Sequence, residues 1–266
     1  MTTSTPIRRA ATVILLRREG SAFSVFLVQR SRRVGFMPSA WVFPGGRVDD
    51  ADRLEAHPGV TGGESAAARM ELAFEDGLPF LVAAVRETFE ESGIWLGSGK
   101  ATSEGRDRLN ADQVTVGELM LQEDLGIDLD RVIPFSWWIT PEAESRRYDT
   151  RFFVALVEDV EARHDDGETV ASAWVELSEA VDKAERGEFP MAPPTWWTLT
   201  QLAAAAKSGW QGILDVAQPG RAICPILTKT PDGLELVLPG DPEHERERIP
   251  GLPTRIGFAQ GHWWSR

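Results

Sequence analysis

Short apolar runs at residues 10–17 and 23–30 (FSVFLVQR) flank the turn-prone Arg18-Glu19-Gly20-Ser21, a pattern that predicts two paired strands. Trp41-Val42-Phe43 reads as a strand end, broken by Pro44-Gly45-Gly46. Residues 49–77 have little strand character, though GESAAARMELAFED predicts a short helix. The strongest signal is residues 78–94, LPFLVAAVRETFEESGI. It predicts one helix, with Pro79 at its first position and Gly93 as its C-terminal cap. Leu78, Leu81, Val82, Val85 and Phe89 form an apolar stripe, while Glu87, Glu90 and Glu91 fall opposite it beside Ala83 and Ala84.

Downstream, residues 111–125 are loosely helical and residues 132–157 predict a second hairpin, with Arg146, Arg147 and Tyr148 at its turn. DDGETVASAWVELSEAV reads as a loop carrying Glu168, a strand, and a helix capped near Ser178. FPMAPPTWWTLTQLAAAA reads as a proline-rich loop entering an alanine-rich helix, where Trp196 and Trp197 pack. From Gly220 the pattern becomes a hairpin around Pro231-Asp232-Gly233, then a tail rich in proline and charge.

With 266 residues, 42% of them apolar, the chain can bury one large core, alone or with an appendage. A formal charge of −13 argues against non-specific binding to nucleic acid or to an anionic membrane, so an anionic substrate must be drawn in by local positive charge. The lone cysteine, Cys224, excludes an internal disulfide and reads as core filler; it fits a reducing compartment, and a cytoplasmic location is expected. His57, His164, His244 and His262 are too scattered for a local metal motif. The first apolar run, residues 10–16, is too short to span a membrane, and no signal peptide is expected. The C-terminal residues do not form an SKL-type address.

Glu87, Glu90 and Glu91 have the spacing that brings helical side chains together, so three like charges repel unless something positive sits among them. A solvated acidic face is one reading. The other is a hard divalent cation such as Mg²⁺, held by carboxylates together with substrate phosphates. Arg86 can pair with Glu90, and the Gly45-Gly46 backbone can come close to a ligand.

PGG followed by RETFEESGI resembles the box of the Nudix hydrolases. Arg86, Glu87, Glu90, Glu91, Gly93 and Ile94 match its second half and Gly46 its opening glycine, while Thr88 is polar where the pattern has an aliphatic residue. Gly46 and Arg86 stand 40 positions apart, about 26 more than the pattern has. No glutamate fills the early acidic position, although Asp52 stands at the right distance from Gly46. A box split at this point resembles the branch that includes the peroxisomal acyl-coenzyme A diphosphatase, as does WWITPEAESRRYDTRFFVALV.

The resemblance implies an α/β protein: a Nudix-type α/β/α sandwich with a mixed central sheet, an insertion at residues 47–78 within the box, and a C-terminal β-containing extension. The expected division is a Nudix domain over 1–215 and an extension over 216–266 packed on it. That extension either adds strands to the sheet or covers the partner of a homodimer.

The implied activity is Mg²⁺- or Mn²⁺-dependent hydrolysis of a diphosphate bridge in a small nucleoside diphosphate derivative, with coenzyme A or acyl-coenzyme A first among substrates. The Gly46 carbonyl, Glu87, Glu90 and Glu91 would hold the metal, Arg86 would orient a glutamate, and Glu168 would be an additional ligand or base. Arg30, Arg32, Arg147 and Tyr148 are the candidate substrate contacts. ADP-ribose or a dinucleotide such as NADH is the alternative substrate, and a non-catalytic binding or regulatory module the alternative of another class.

Overall fold

A computed structural model describes residues 6–32, 37–158, 162–165, 169–231 and 233–266. Strands β1 (Ile7–Glu19) and β2 (Ala22–Arg30) form the expected hairpin, in register from Leu16↔Val25 to Glu19↔Ala22. The short β3 (Trp41–Val42) pairs with β2, and β4 (Gly45–Arg47) with β1. β5 (Val60–Thr61), β6 (Gly97–Ser98) and β7 (Gly126–Asp128) make a separate small sheet. β8 (Ile133–Ile139) and β9 (Arg147–Val157) are the second hairpin, followed by β10 (Thr169–Glu176) and the short β11 (Ala222–Ile223). β12 (Ile226–Thr230), β13 (Gly233–Val237), β14 (Arg255–Ala259) and β15 (His262–Ser265) close the chain as an antiparallel meander.

The main sheet runs β10-β2-β1-β9-β8-β11, with β3 and β4 beside β2 and β1. It is mixed, because β1 and β9 run parallel from Ile7↔Arg147 to Arg17↔Val157 while their other neighbours are antiparallel. Side chains alternate across a strand, so β1 and β9 serve two cores. Ala11, Val13, Leu15, Phe153 and Ala155 face one side; Ile14, Leu16, Phe152 and Val154 face the other.

On the first side lie helices α1 (Glu64–Arg69), α2 (Phe74–Ser92), α3 (Ser103–Asn110) and α4 (Val116–Gln122). On the second lie α5 (Leu177–Glu185), α6 (Pro193–Ala205), α7 (Gly209–Asp215) and the C-terminal meander. This is an α/β/α sandwich. Of the extension, β11 adds to the main sheet, and β12 to β15 form a sheet of their own whose Leu236 and Ile256 enter the second core.

Several expectations need correction. Helix α2 begins at Phe74, which places Pro79 in its sixth position. Proline there removes the hydrogen bond that residue 79 would have donated to the carbonyl of Glu75, at the exposed start of the helix. Gly93 ends the helix as expected, in the left-handed conformation at φ 75°. Nor is α2 two-faced: Ala83 and Ala84 are as buried as Leu81 and Val82, because the face they share with Phe80, Glu87 and Glu91 lies against β1 and β4, while Leu81 faces Gly63 of the insertion. Residues 47–78 thus form a wall in which Ala66, Ala67 and Met70 are buried. Helix α5 is capped by Glu176, whose carboxylate accepts from the Glu179 N–H, and Ser178 lies inside the helix. Cys224 is only half-buried, outside both cores.

Candidate active site

The last two turns of α2 carry the acidic set against the strand end that enters β4. Gly46 pairs with Ala11 of β1, and a Cβ added to it would come within 2.4 Å of a Glu87 carboxylate oxygen. Gly45 is equally confined, since its Cβ would fall 2.4 Å from the Ala11 carbonyl oxygen. Its N–H donates to Glu91 Oε2 at 3.0 Å. The two glycines therefore let backbone lie directly on the carboxylate face of the helix. Thr88 is fully buried, and its hydroxyl donates to the Ala84 carbonyl at 2.7 Å. That internal bond makes a polar residue tolerable where the motif has an aliphatic one.

Arg86 organises the cluster. Its Nε and Nη2 donate to the two carboxylate oxygens of Asp52 at 2.8 and 3.0 Å, a bidentate fork. Nη1 donates to Glu87 Oε1 at 2.9 Å and Glu90 Oε2 at 2.8 Å, and Nη2 also donates to the Arg47 carbonyl at 2.8 Å. Every donor of the guanidinium is thereby engaged. Asp52 is itself fully buried, and its Oδ2 accepts from the Asp49 N–H at 2.8 Å. The residue that sequence left beside the pattern is thus the one that locks Arg86.

Negative charge still exceeds positive. Burial pushes Glu87 up to about 8 and Glu90 up to about 7 against the pull of Arg86. Burial, and then the charge of Glu87, hold Glu91 well above the carboxylate range, with Asp165 adding to the rise and Arg30 opposing it. For Arg86, burial opposes the charge, but the bonds to Asp52 and the fields of Glu87 and Glu90 prevail and raise its pKa.

Among the described residues, no three His, Cys, Asp or Glu side chains are gathered into a ready metal-binding group. The donor chemistry nonetheless fits a hard divalent cation. It is oxygen only, desolvated and over-charged, and Glu87, Glu90 and Glu91 are each hydrogen-bonded through a single oxygen.

Of the other expected contacts, Arg30 lies at the end of β2 within the field of Glu91, its buried Nε without a hydrogen-bond partner. Arg32 is exposed two residues on. Arg147 and Tyr148 start β9 opposite Ile7 and Arg8, away from the carboxylates. Glu168 lies outside the described residues; the described carboxylate of that loop that acts on Glu91 is Asp165, which also accepts from the Thr169 N–H at 3.0 Å. Arg106 was not foreseen. From α3 its Nε and Nη2 donate to the Glu90 carbonyl at 2.9 and 2.8 Å, and Nη2 also donates to the Arg163 carbonyl at 2.8 Å. No motif announced it, because these carbonyl partners are main-chain groups.

Comparison with known proteins shows the family of the chain. A family model described as the NUDT19 Nudix domain matches residues 64–202, and one described as the NUDIX domain matches residues 6–114. An acyl-coenzyme A diphosphatase NUDT19 of Gallus gallus is 30% identical, over 88% of this chain and 79% of that protein. The protein of the same name from Homo sapiens is 28% identical, over 82% and 72%. Among solved structures, a NUDIX hydrolase from Alicyclobacillus acidocaldarius superposes with a TM-score of 0.68 at 24% identity, covering 81% of this chain and 99% of that one, a likeness of fold.

Proposed function

The chain belongs to the Nudix family and is a hydrolase acting on diphosphate bonds, and from that premise we propose that it cleaves coenzyme A or acyl-coenzyme A with the help of a divalent cation. The products would be 4′-phosphopantetheine, or its acyl form, and adenosine 3′,5′-bisphosphate. The substrate reading is supported by the 30% identity, over most of both chains, to a protein named acyl-coenzyme A diphosphatase.

The observation that carries the site is the carboxylate face of α2 laid against Gly45 and Gly46. Glu87, Glu90, Glu91 and the Gly46 carbonyl would hold Mg²⁺ or Mn²⁺. The chemistry supplied by such a cation is neutralisation of phosphate oxygens and a lowered pKa for the attacking water. Arg86 holds Glu87 and Glu90 in place without touching substrate. Arg30 brings positive charge to this end of the sheet, in a chain whose net charge would otherwise repel a diphosphate. The lone cysteine is in keeping with a reducing, cytoplasmic setting.

The test is mass-spectrometric product analysis with coenzyme A, acyl-coenzyme A, ADP-ribose and NADH, each with Mg²⁺, with Mn²⁺ and with chelator. Metal-dependent adenosine 3′,5′-bisphosphate supports the reading. AMP from ADP-ribose or NADH alone replaces the substrate, and turnover in chelator refutes the metal. Glu90→Gln and Glu91→Gln should each lower kcat by about 100-fold or more, through lost electrostatic stabilisation of the transition state, with unchanged circular dichroism.

A further inference from the structure

We propose that the start of the β1–β9 pair is a second anion site, built to take a phosphate-type oxyanion, separate from the carboxylate cluster. Arg8, Arg146, Arg147 and Tyr148, with Pro6 and Ser145, line a cavity of about 220 Å³. The parallel register sets Ile7 opposite Arg147 and Arg8 opposite Tyr148, which gathers basic residues from two distant parts of the chain.

Arg147 is the fixed member. It is 9% exposed, and its Nε donates to the Thr140 carbonyl at 3.2 Å. The turn beneath it is closed by the Thr140 N–H to the Tyr148 carbonyl at 3.0 Å, and by the Tyr148 N–H to the Thr140 hydroxyl at 3.0 Å. These bonds orient the guanidinium and leave both of its Nη ends for a ligand.

Arg8 and Arg146 are exposed beside it. Among the described residues no carboxylate forms an ion pair with any of the three arginines, Glu142 and Glu144 of the same turn included. In a chain of net charge −13, three unneutralised arginines around one cavity, one of them preset, are the chemistry that recognises a dianionic oxyanion by a planar fork.

Ala11, the partner of Gly46, lies four residues along β1 from Ile7, roughly 13 Å at strand rise. One anion therefore cannot touch both sites. The oxyanion is either a remote group of the substrate or a separate small ligand, and the experiment tells these apart.

The experiment titrates inorganic phosphate into chelator-treated full-length protein, read by ¹H–¹⁵N chemical shifts, for wild type and for the Arg8→Gln/Arg146→Gln double variant, with Arg147→Lys as a check on the oriented fork. No turnover is required, so a failure here is independent of the proposed activity. Saturable binding in wild type, with shifts at residues 146–148 and affinity at least tenfold weaker in the double variant, supports the site. Absence of saturation, or equal affinity in both proteins, overturns it. KM values for coenzyme A and its 3′-dephospho form then assign the source. A KM raised in the variant for the first substrate alone, with kcat unchanged, means that the substrate carries the oxyanion. Unchanged KM beside lost phosphate binding means a separate ligand.

Discussion

Asp52 and Arg86 decide how the acidic face survives burial. Removing one partner of a buried ion pair leaves the other uncompensated, so Asp52→Ala should destabilise the protein by about 3–5 kcal/mol in urea unfolding. A loss below about 1 kcal/mol would mean that Asp49, 3.7 Å from Arg86, takes over. The glutamates carry a pH signature. With folded values raised to about 8 for Glu87 and about 7 for Glu90, from an unperturbed 4.5, the folded state binds protons that the unfolded state has released. Their contribution is thus fully present below about pH 4.5 and is lost as pH rises through 7 and 8. Metal-free protein should lose stability across that window, Glu87→Gln should flatten the slope, and Mg²⁺ or Mn²⁺ should restore stability most at the alkaline end, all read by thermal unfolding. The glutamates were legible in the sequence because their spacing and the motif coincide. Asp52 was visible only as a matching distance, since nothing in a one-dimensional pattern shows that an aspartate 34 residues upstream returns to fork the arginine.

Helix α2 is positioned from both ends. At its start, the Arg9 guanidinium stacks 4.2 Å from the Phe80 ring and donates to the Asp76 carbonyl. At its finish, Arg106 holds the Glu90 carbonyl, where a cation also meets the negative end of the helix dipole. Arg106→Gln should lower kcat and weaken the apparent affinity for activating Mg²⁺ several-fold while KM for substrate stays near wild type. A uniform loss of folded protein with unchanged kinetics per folded molecule would make its role purely structural. The helix itself was read correctly from residue 78 onward, and its first turn was missed because Pro79 is a stronger local start signal than Ala73, a cap without a side-chain acceptor. The burial of its second side was illegible for a different reason. Ala83 and Ala84 look like surface residues of an amphipathic helix until β1 and β4 pack on the face they share with Phe80 and Glu87.

At the scale of the whole chain, the C-terminal meander behaves as part of the second core. Trp263 stacks on Trp196 of α6 at 5.4 Å and 16°, and Leu238, Ile249 and Leu252 share the cluster that holds Ile14 and Val154. We infer that residues 216–266 do not form an independent unit. A chain ending at Asp215 should bind a hydrophobic dye and lose its cooperative thermal transition, whereas a cooperative transition near the wild-type Tm would refute this. Packing of Trp196 and Trp197 was legible in composition, but which partners they meet depends on strands some 60 residues later. The parallel pairing of β1 with β9 reaches further still, because Ile7 waits for Arg147, 140 residues downstream. At about 5–20 residues per second, the ribosome delivers that partner roughly 7–28 s after β1. Throughout that interval the nascent β1–β2 hairpin exposes the apolar strand edge that β9 will cover, so folding is slow to nucleate and an early-binding chaperone has a defined segment to protect.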